Sequence, residues 1–353
     1  MEIKGLSDDN ILKISHIKEE DEWALKYRID SYHNFLKLGL PDFGPKIELD
    51  FDNIIYYKSR QESEIKNNWN DINCSVKNEL DNLGVLESEK HLDGIGVQYE
   101  SEVIYHNMLS ELEEKNVIFT SIEVAMKKYP ELVKKYFGKI VSNNENKFAA
   151  LNGAVFSGGS FIYIPPNTTL DRPLQSYFRI NSRNMGQFER TLIIVDDNSH
   201  LHYVEGCTAP TYSDSSLHAA VVEIYVGKNS SCRYSTIQNW APNVYNLVTK
   251  RALVDENGVM EWIDGNIGSR LTMKYPCCVL KGDNSKGTCI TISVASKTQE
   301  QDSGARMIHL GKNTTSNIIS KSIAQSGGNS TYRGKPKTIN SVALSSEIPR
   351  DII

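Results

Sequence analysis

Between about residues 147 and 340 the chain alternates short apolar runs with small polar turns. The runs include Phe161-Ile162-Tyr163-Ile164, Thr191-Leu192-Ile193-Ile194-Val195, Ala219 to Val226, Cys289 to Val294 and Asn317-Ile318-Ile319-Ser320. Their length and β-branched content predict strands. Each begins or ends at a turn that carries an asparagine: Asn167, Asn198, Asn229, Asn257, Asn284 or Asn313. The intervals are 31, 31, 28, 27 and 29 residues. Asn suits such corners because it tolerates left-handed backbone angles at small cost. A period in this range marks stacked supersecondary units rather than one globular core.

Two or three strands per repeat with polar corners fit the coils of a parallel β-helix, each laid about 4.8 Å from the one below. An antiparallel sandwich would turn about every 8–12 residues, and propeller blades are longer with aromatic signatures. Equal offsets from successive corners predict stacked side chains. Cys207 lies nine residues after Asn198, and Gln238 nine after Asn229.

Residues 1–146 have a different texture. Trp23, Tyr27, Phe35 and Leu38 recur among charges, which predicts a helix over 19–38 that stops at Gly39 and Pro41. Val103, Met108 and Leu112 suggest a second helix over 101–112. Thr120-Ser121-Ile122-Glu123 has the capping-box pattern and opens a third, which runs to Tyr136 with a break or kink at Pro130. At Lys147 helical periodicity gives way to strands. The expected organisation is a small helical and mixed region at 1–146 that caps the β-helix, coils over 147–340, and a divergent tail at 341–353. The fold class is mainly β.

Composition narrows the function. Net charge is −5, so no global basic field recruits nucleic acid or an anionic membrane. No apolar stretch reaches the length that spans a bilayer. The first residues resemble neither a signal nor a transit peptide, which predicts a cytoplasmic protein. The six cysteines (74, 207, 232, 277, 278 and 289) show no Cys-x-x-Cys spacing, which argues against a zinc ribbon and for free thiols. Cys277 and Cys278 are adjacent, so on a strand they face opposite ways. No Walker A sequence is present, and Gly94-Ile95-Gly96 lacks the third glycine of a dinucleotide loop.

Several segments resemble SufB, the scaffold subunit of the SUF iron–sulfur cluster assembly system. They are Tyr99 to Asn107, Phe178 to Asn181, Gly186 to Thr191, Val204 to Pro210, Leu217 to Glu223, Ser235 to Trp240, Val248 to Leu253, Met307 to Thr314 and Thr331 to Gly334. They follow the family's order across most of the chain. The paralogous SufD shares the fold and is the weaker match. The resemblance implies a right-handed parallel β-helix after a helical N-terminal region, and a scaffold rather than an enzyme. ATP hydrolysis is then expected from SufC. Implied partners are SufC, SufD or a second copy through β-helix edges, and a cysteine desulfurase or sulfur-transfer protein. Implied cofactors are a transient iron–sulfur cluster and, in the intact complex, reduced flavin.

On Cys207 the resemblance places a sulfur-accepting thiol that is also a candidate cluster ligand. It places Arg179, Asn181, Gln238, Trp240 and Lys250 along a path through the β-helix beside that thiol. After Gly334 the family continues with more coils and the helical domain that docks SufC. The ending Ser341 to Ile353 does not look like that continuation, so the resemblance does not carry SufC docking over to it.

Each candidate has a plainer reading. Cys207 sits where a strand breaks at Thr208-Ala209-Pro210; nearby Lys or Arg would favour its thiolate, whereas composition alone makes it a buried filler. Lys250, Arg179 and Arg251 suit charge-assisted bonds to a sulfur anion or are solvated charges on the coil face, Arg251 above all. Gln238 and Trp240 share a strand face, and Trp240 alone reads as core. His200 and His202 share another face, which reads better as cross-strand hydrogen bonding than as metal ligation. Cys232 and Cys289 read as inward stacking residues. Asp196-Asp197 raises the paired carboxylates of glycan-cleaving β-helices, but lies beside a repeat turn where acids cap. The alternatives to a scaffold are therefore a β-helix module that only binds partners and a glycan-active enzyme.

Overall fold

A computed structural model of the chain describes residues 1–59, 64–212 and 215–338. The repeat forms a parallel β-solenoid of about six turns. One sheet stacks Gly94–Tyr99, Leu174–Arg179, His200–Thr208, Ser231–Trp240, Val259–Gly268, Lys286–Ser296 and Thr315–Gln325, each parallel to the next. The second stacks Ser160–Ile164, Arg190–Val195, Val221–Val226, Val244–Val254, Cys277–Leu280, Glu300–His309 and Asn329–Thr338 in the same way. Order in space follows order in the chain. Each coil therefore crosses from the first sheet to the second and returns one strand further along.

The asparagine corners are left-handed at all six positions, with φ between 54° and 60°. Each of the first five donates its backbone N–H to the next coil, as in Asn198 N to Lys228 O at 2.8 Å. Their side chains also form a ladder. The amide of Asn198 donates to Asn167 at 3.1 Å, Asn229 to Asn198 at 3.1 Å and Asn257 to Asn229 at 3.0 Å. An amide carries both donor and acceptor, so it can bond up and down a column at once.

Inward residues stack in columns. Tyr203, Tyr234, Trp262 and Cys289 form one, with successive ring centroids 5.0 and 5.2 Å apart. Cys232, Cys278 and Cys289 lie in this main core. Cys277 lies in a separate apolar cluster on the other face, as strand alternation requires.

The N-terminal region covers one side of the solenoid. Helix Asp8–Ile17, which hydrophobic periodicity did not reveal, is capped by the Ser7 hydroxyl. Helix Glu22–Lys37 falls where the periodicity placed it. Both pack with helix Lys147–Val155 on residues such as Leu217 and Tyr245.

Several expectations change here. Residues 101–112 are not one helix: Glu102–Met108 is a strand antiparallel to Gly94–Tyr99, and only Ser110–Glu114 is helical. A ready sheet edge overrides weak helical spacing at Val103-Ile104-Tyr105. Residues 147–155 are helical, capped by the Asn146 side chain. Phe148 through Val155 are all buried, so this helix has no polar face and no amphipathic signature. The helix cap at 120–123 is Ser121, which accepts from Val124 N at 3.3 Å. Glu123 instead binds Lys18 at 2.8 Å. The break expected at Pro130 is present, with Pro130 starting a separate helix, Pro130–Tyr136. Gly94 and Gly96 lie within a strand, not a loop. The parallel stack thus opens at Gly94, ahead of helix Lys147–Val155. The tail at 341–353 lies outside the described residues.

Candidate functional site

His200–Thr208 alternates strictly, with Leu201, Tyr203, Glu205 and Cys207 pointing inward. Cys207 faces Phe178 on the preceding coil and Gln238 on the following one. The equal offsets from Asn198 and Asn229 therefore do stack Cys207 on Gln238. The thiol is 0% exposed and packs against Ile180, Met185 and Trp240. It donates to Glu205 Oε1 at 3.7 Å.

Glu205 lies at the centre of a buried polar cluster. Its Oε1 accepts from Lys250 Nζ at 3.3 Å, and its Oε2 accepts from the Tyr234 hydroxyl. Lys250 also donates to Thr236 Oγ1 at 2.8 Å. One coil further, Lys274 pairs with Asp264 at 3.0 Å and donates to Gln238 Oε1 at 3.3 Å. On the facing wall Asn246 donates to the same Gln238 oxygen at 2.8 Å. His218 stands 2.8 Å from Asn246 Oδ1 through Nδ1 and binds Glu189 through Nε2. Trp240 packs over His218 at 4.7 Å between ring centroids. All these charged groups are at most 2% exposed.

The charges set one another. Burial alone would raise Glu205, but Lys250 and the Tyr234 hydroxyl hold it below the usual carboxylate range. Burial would lower Lys250, and Glu205 reverses this. Burial lowers Lys274 despite Asp264. Burial pushes the Cys207 thiol well up, and Glu205 and Glu189 push it further, against a smaller pull from Lys250 and Lys274. The expectation that neighbouring cations make Cys207 a thiolate is thus overturned, because the nearest partner is a carboxylate.

Of the six residues expected to act together, four meet inside: Cys207, Gln238, Trp240 and Lys250. Arg179 and Asn181 do not join them. Arg179 is in register with Thr208, whose side chain alternates away from the interior. It donates to Thr208 Oγ1 at 2.9 Å and pairs with Glu79 of helix Cys74–Asn82. Asn181 bonds the Tyr99 hydroxyl, and its carbonyl accepts from Tyr212 at 2.6 Å. Both tie N-terminal elements and a corner to the outside of the coil that carries Cys207. Arg251 is 3% exposed and paired with Glu145, so it is not a solvated charge.

His200 and His202 bond Ser231 and Ser235 across strands at 2.8 and 3.0 Å, on the face opposite Glu205. Asp197 caps the next corner through Lys228 N at 2.7 Å, and Asp196 accepts from Tyr163 at 3.1 Å. Among the described residues no group of three or more His, Cys, Asp or Glu is arranged to hold a metal ion. Cys207 therefore does not belong to a complete cluster-ligand set within them, since iron–sulfur clusters take several thiolates or histidines.

Residues 97–176 match the SufBD protein N-terminal region, and residues 178–343 match the SUF system FeS cluster assembly SufBD core domain. The iron–sulfur cluster assembly SufBD family protein of Staphylococcus saprophyticus is 56% identical over 333 residues, which cover 94% of this chain and 71% of the relative. SufBD family proteins of Staphylococcus aureus strains USA300 and NCTC 8325 give the same identity and coverage. This chain belongs to the SufBD family. SufBD proteins are iron–sulfur cluster assembly proteins, and the buried polar cluster around Cys207 lies within the matched SufBD core. No helix of the described residues is long and apolar enough to cross a membrane.

Reasoning from sequence missed Lys274, Asp264, His218, Glu189 and the central role of Glu205. The corner offset was the available signal. Glu205, Thr236 and Asp264 each lie seven residues after an asparagine corner, and they stack in register.

Proposed function

We infer that this SufBD protein is a SufB-like scaffold of the SUF system that accepts sulfur on Cys207 and supports iron–sulfur cluster assembly. One observation carries the reading. A solenoid core is most stable when apolar, yet here Glu205, Lys250, Gln238, Lys274 and Asp264 are buried in the interior that holds Cys207, and Glu205 bonds its thiol directly. Such groups are costly to bury and concentrate at functional sites.

The chemistry is a sulfur transfer. The Cys207 sulfur attacks the outer sulfur of a persulfide donor, and the donor's S–S bond breaks. The donor leaves as a thiol, and Cys207 carries the transferred sulfur. Glu205, already bonded to the thiol, receives its proton as the new bond forms, and Lys250 offsets the negative charge that develops. Because Cys207 is sealed from solvent, delivery requires the fold around it to open. Iron and sulfide are the cargo of this process. No step here depends on the flavin that the resemblance implies.

Partners follow from the same reading: a cysteine desulfurase or its sulfur carrier as donor, SufC as the ATPase, and SufD or a second copy along the sheet edges. Anaerobic incubation with iron and sulfide tests it. The parent should develop visible cluster absorption together with SufC and SufD, and Cys207→Ala should develop much less. Equal absorption in the variant would remove Cys207 from assembly. A second reading, a module that binds partners without building clusters, gains ground if the chain co-elutes with SufD while the parent shows no Cys207-dependent absorption.

A further inference from the structure

The polarity of the amide beside Cys207 follows from one group that can only donate. Lys274 Nζ carries no acceptor, so the Gln238 atom at 3.3 Å from it is the oxygen. The Asn246 atom that meets this oxygen at 2.8 Å must then be its nitrogen. Asn246 consequently turns its oxygen to His218 Nδ1, which carries a proton. His218 Nε2 faces the Glu189 carboxylate, a partner that favours a donating ring nitrogen. Glu189 and Asn246 together raise His218 against the lowering effect of burial.

The chain Lys274–Gln238–Asn246–His218–Glu189 leaves two buried atoms unpartnered, Glu189 Oε2 at its far end and one donor beside Cys207. Gln238 Nε2 is fully buried and has no partner. An unpaired buried donor is costly and calls for an explanation. Gln238 turns its oxygen toward Lys274, which belongs to the following coil. On the preceding coil its in-register neighbour is Cys207, so the unpartnered nitrogen belongs to the residue stacked on the thiol.

We propose that Gln238 Nε2 is the hydrogen-bond donor reserved for the sulfur carried on Cys207, and that Lys274, Asn246 and His218 are positioning residues that hold it in that orientation. The ligand is a persulfide, Cys–S–S⁻, whose terminal sulfur accepts a hydrogen bond that the resting thiol does not need. Gln238 thus distinguishes the loaded from the empty state. The proposal rests on Cys207 as the sulfur acceptor.

The test loads the chain anaerobically with polysulfide, locates the added sulfur by alkylation and peptide mass, and follows its loss from Cys207 after cyanide is added. Gln238→Glu keeps the bond to Lys274 but replaces the free donor with an oxygen. Asn246→Asp forces Gln238 to offer its nitrogen to the new carboxylate instead. Both should lose the Cys207 persulfide at least about tenfold faster than the parent, the scale of a hydrogen bond to an anion. Gln238→Met removes the donor without adding charge and decides the matter if the charged variants do not fold. Thr272→Val removes a 3.3 Å bond to Asn246 and a 2.7 Å bond to Ser269 but leaves every contact of Gln238 in place, and its persulfide lifetime should match the parent. A purely structural role would lower the unfolding midpoint in these variants without shortening the persulfide lifetime. Folded Gln238 and Asn246 variants that keep the persulfide as long as the parent overturn the proposal alone. A parent that takes no sulfur on Cys207 overturns it together with the reading beneath it.

Discussion

Lys250 reaches across the solenoid interior to Glu205 on the facing wall and one coil away, closing a 3.3 Å ion pair that is shut off from water. The pair ties successive coils together and fixes the carboxylate that receives the Cys207 hydrogen bond. Removing one partner strands a buried charge. Lys250→Met should therefore lower stability by about 3–5 kcal/mol. The double variant Glu205→Gln with Lys250→Met should recover much of that loss. Chemical denaturation of the single and double variants measures it.

The asparagine ladder makes a second prediction. Asn198 sits at φ 56° and bonds Asn167 and Asn229 through its side chain. Asn198→Ala should cost about 1–2 kcal/mol, because alanine tolerates the left-handed region poorly and the column bonds are lost. Asn198→Gly keeps the backbone angle and should cost less. Equal losses in a denaturation series would mean the side-chain ladder, not the backbone angle, dominates.

Acid should weaken the N-terminal end through His106. Burial holds this imidazole down at about 4, and its Nε2 is unpartnered beside Phe119. The folded value lies below the ordinary one, so the unfolded chain binds the proton first as pH falls. Stability from the neutral ring is complete above about pH 6.5 and is lost toward pH 4, by up to about 3 kcal/mol. His106→Gln should flatten that part of the stability–pH curve relative to the parent.

Arg179 faces away from the thiol and fastens helix Cys74–Asn82 through Glu79. Arg179→Ala should speed amide hydrogen exchange in that helix by about tenfold, from the loss of about 1–2 kcal/mol of local stability. Exchange along His200–Thr208 should stay near that of the parent.

How much of this was legible depended on periodicity. The corner spacing revealed the solenoid, and the equal offsets of Cys207 and Gln238 revealed their stacking, because a parallel coil converts sequence interval into position. Helix Lys147–Val155 was illegible because it is buried all round and has no polar face. Strand Glu102–Met108 was misread because its sheet partner, not its own spacing, decides its state. Arg179 and Asn181 were grouped with Cys207 by resemblance, yet strand alternation sends Arg179 the other way. Lys274 and His218 escaped notice because they come from the second sheet. Their closeness to Gln238 exists only after the coil has folded back across the core.

The central claim is that sulfur settles on Cys207 rather than on another thiol. Cys232, Cys278 and Cys289 are equally buried but lie in the main core cluster, and Cys74 is exposed. The direct measurement is the amount and position of persulfide sulfur in the parent and in Cys207→Ser after anaerobic loading, read by peptide mass. The account predicts sulfur on Cys207 in the parent and loss of that stable fraction in the variant, with only label removable by brief mild reduction left on Cys74. Stable sulfur in the variant equal to that of the parent, carried on any other cysteine, would contradict it.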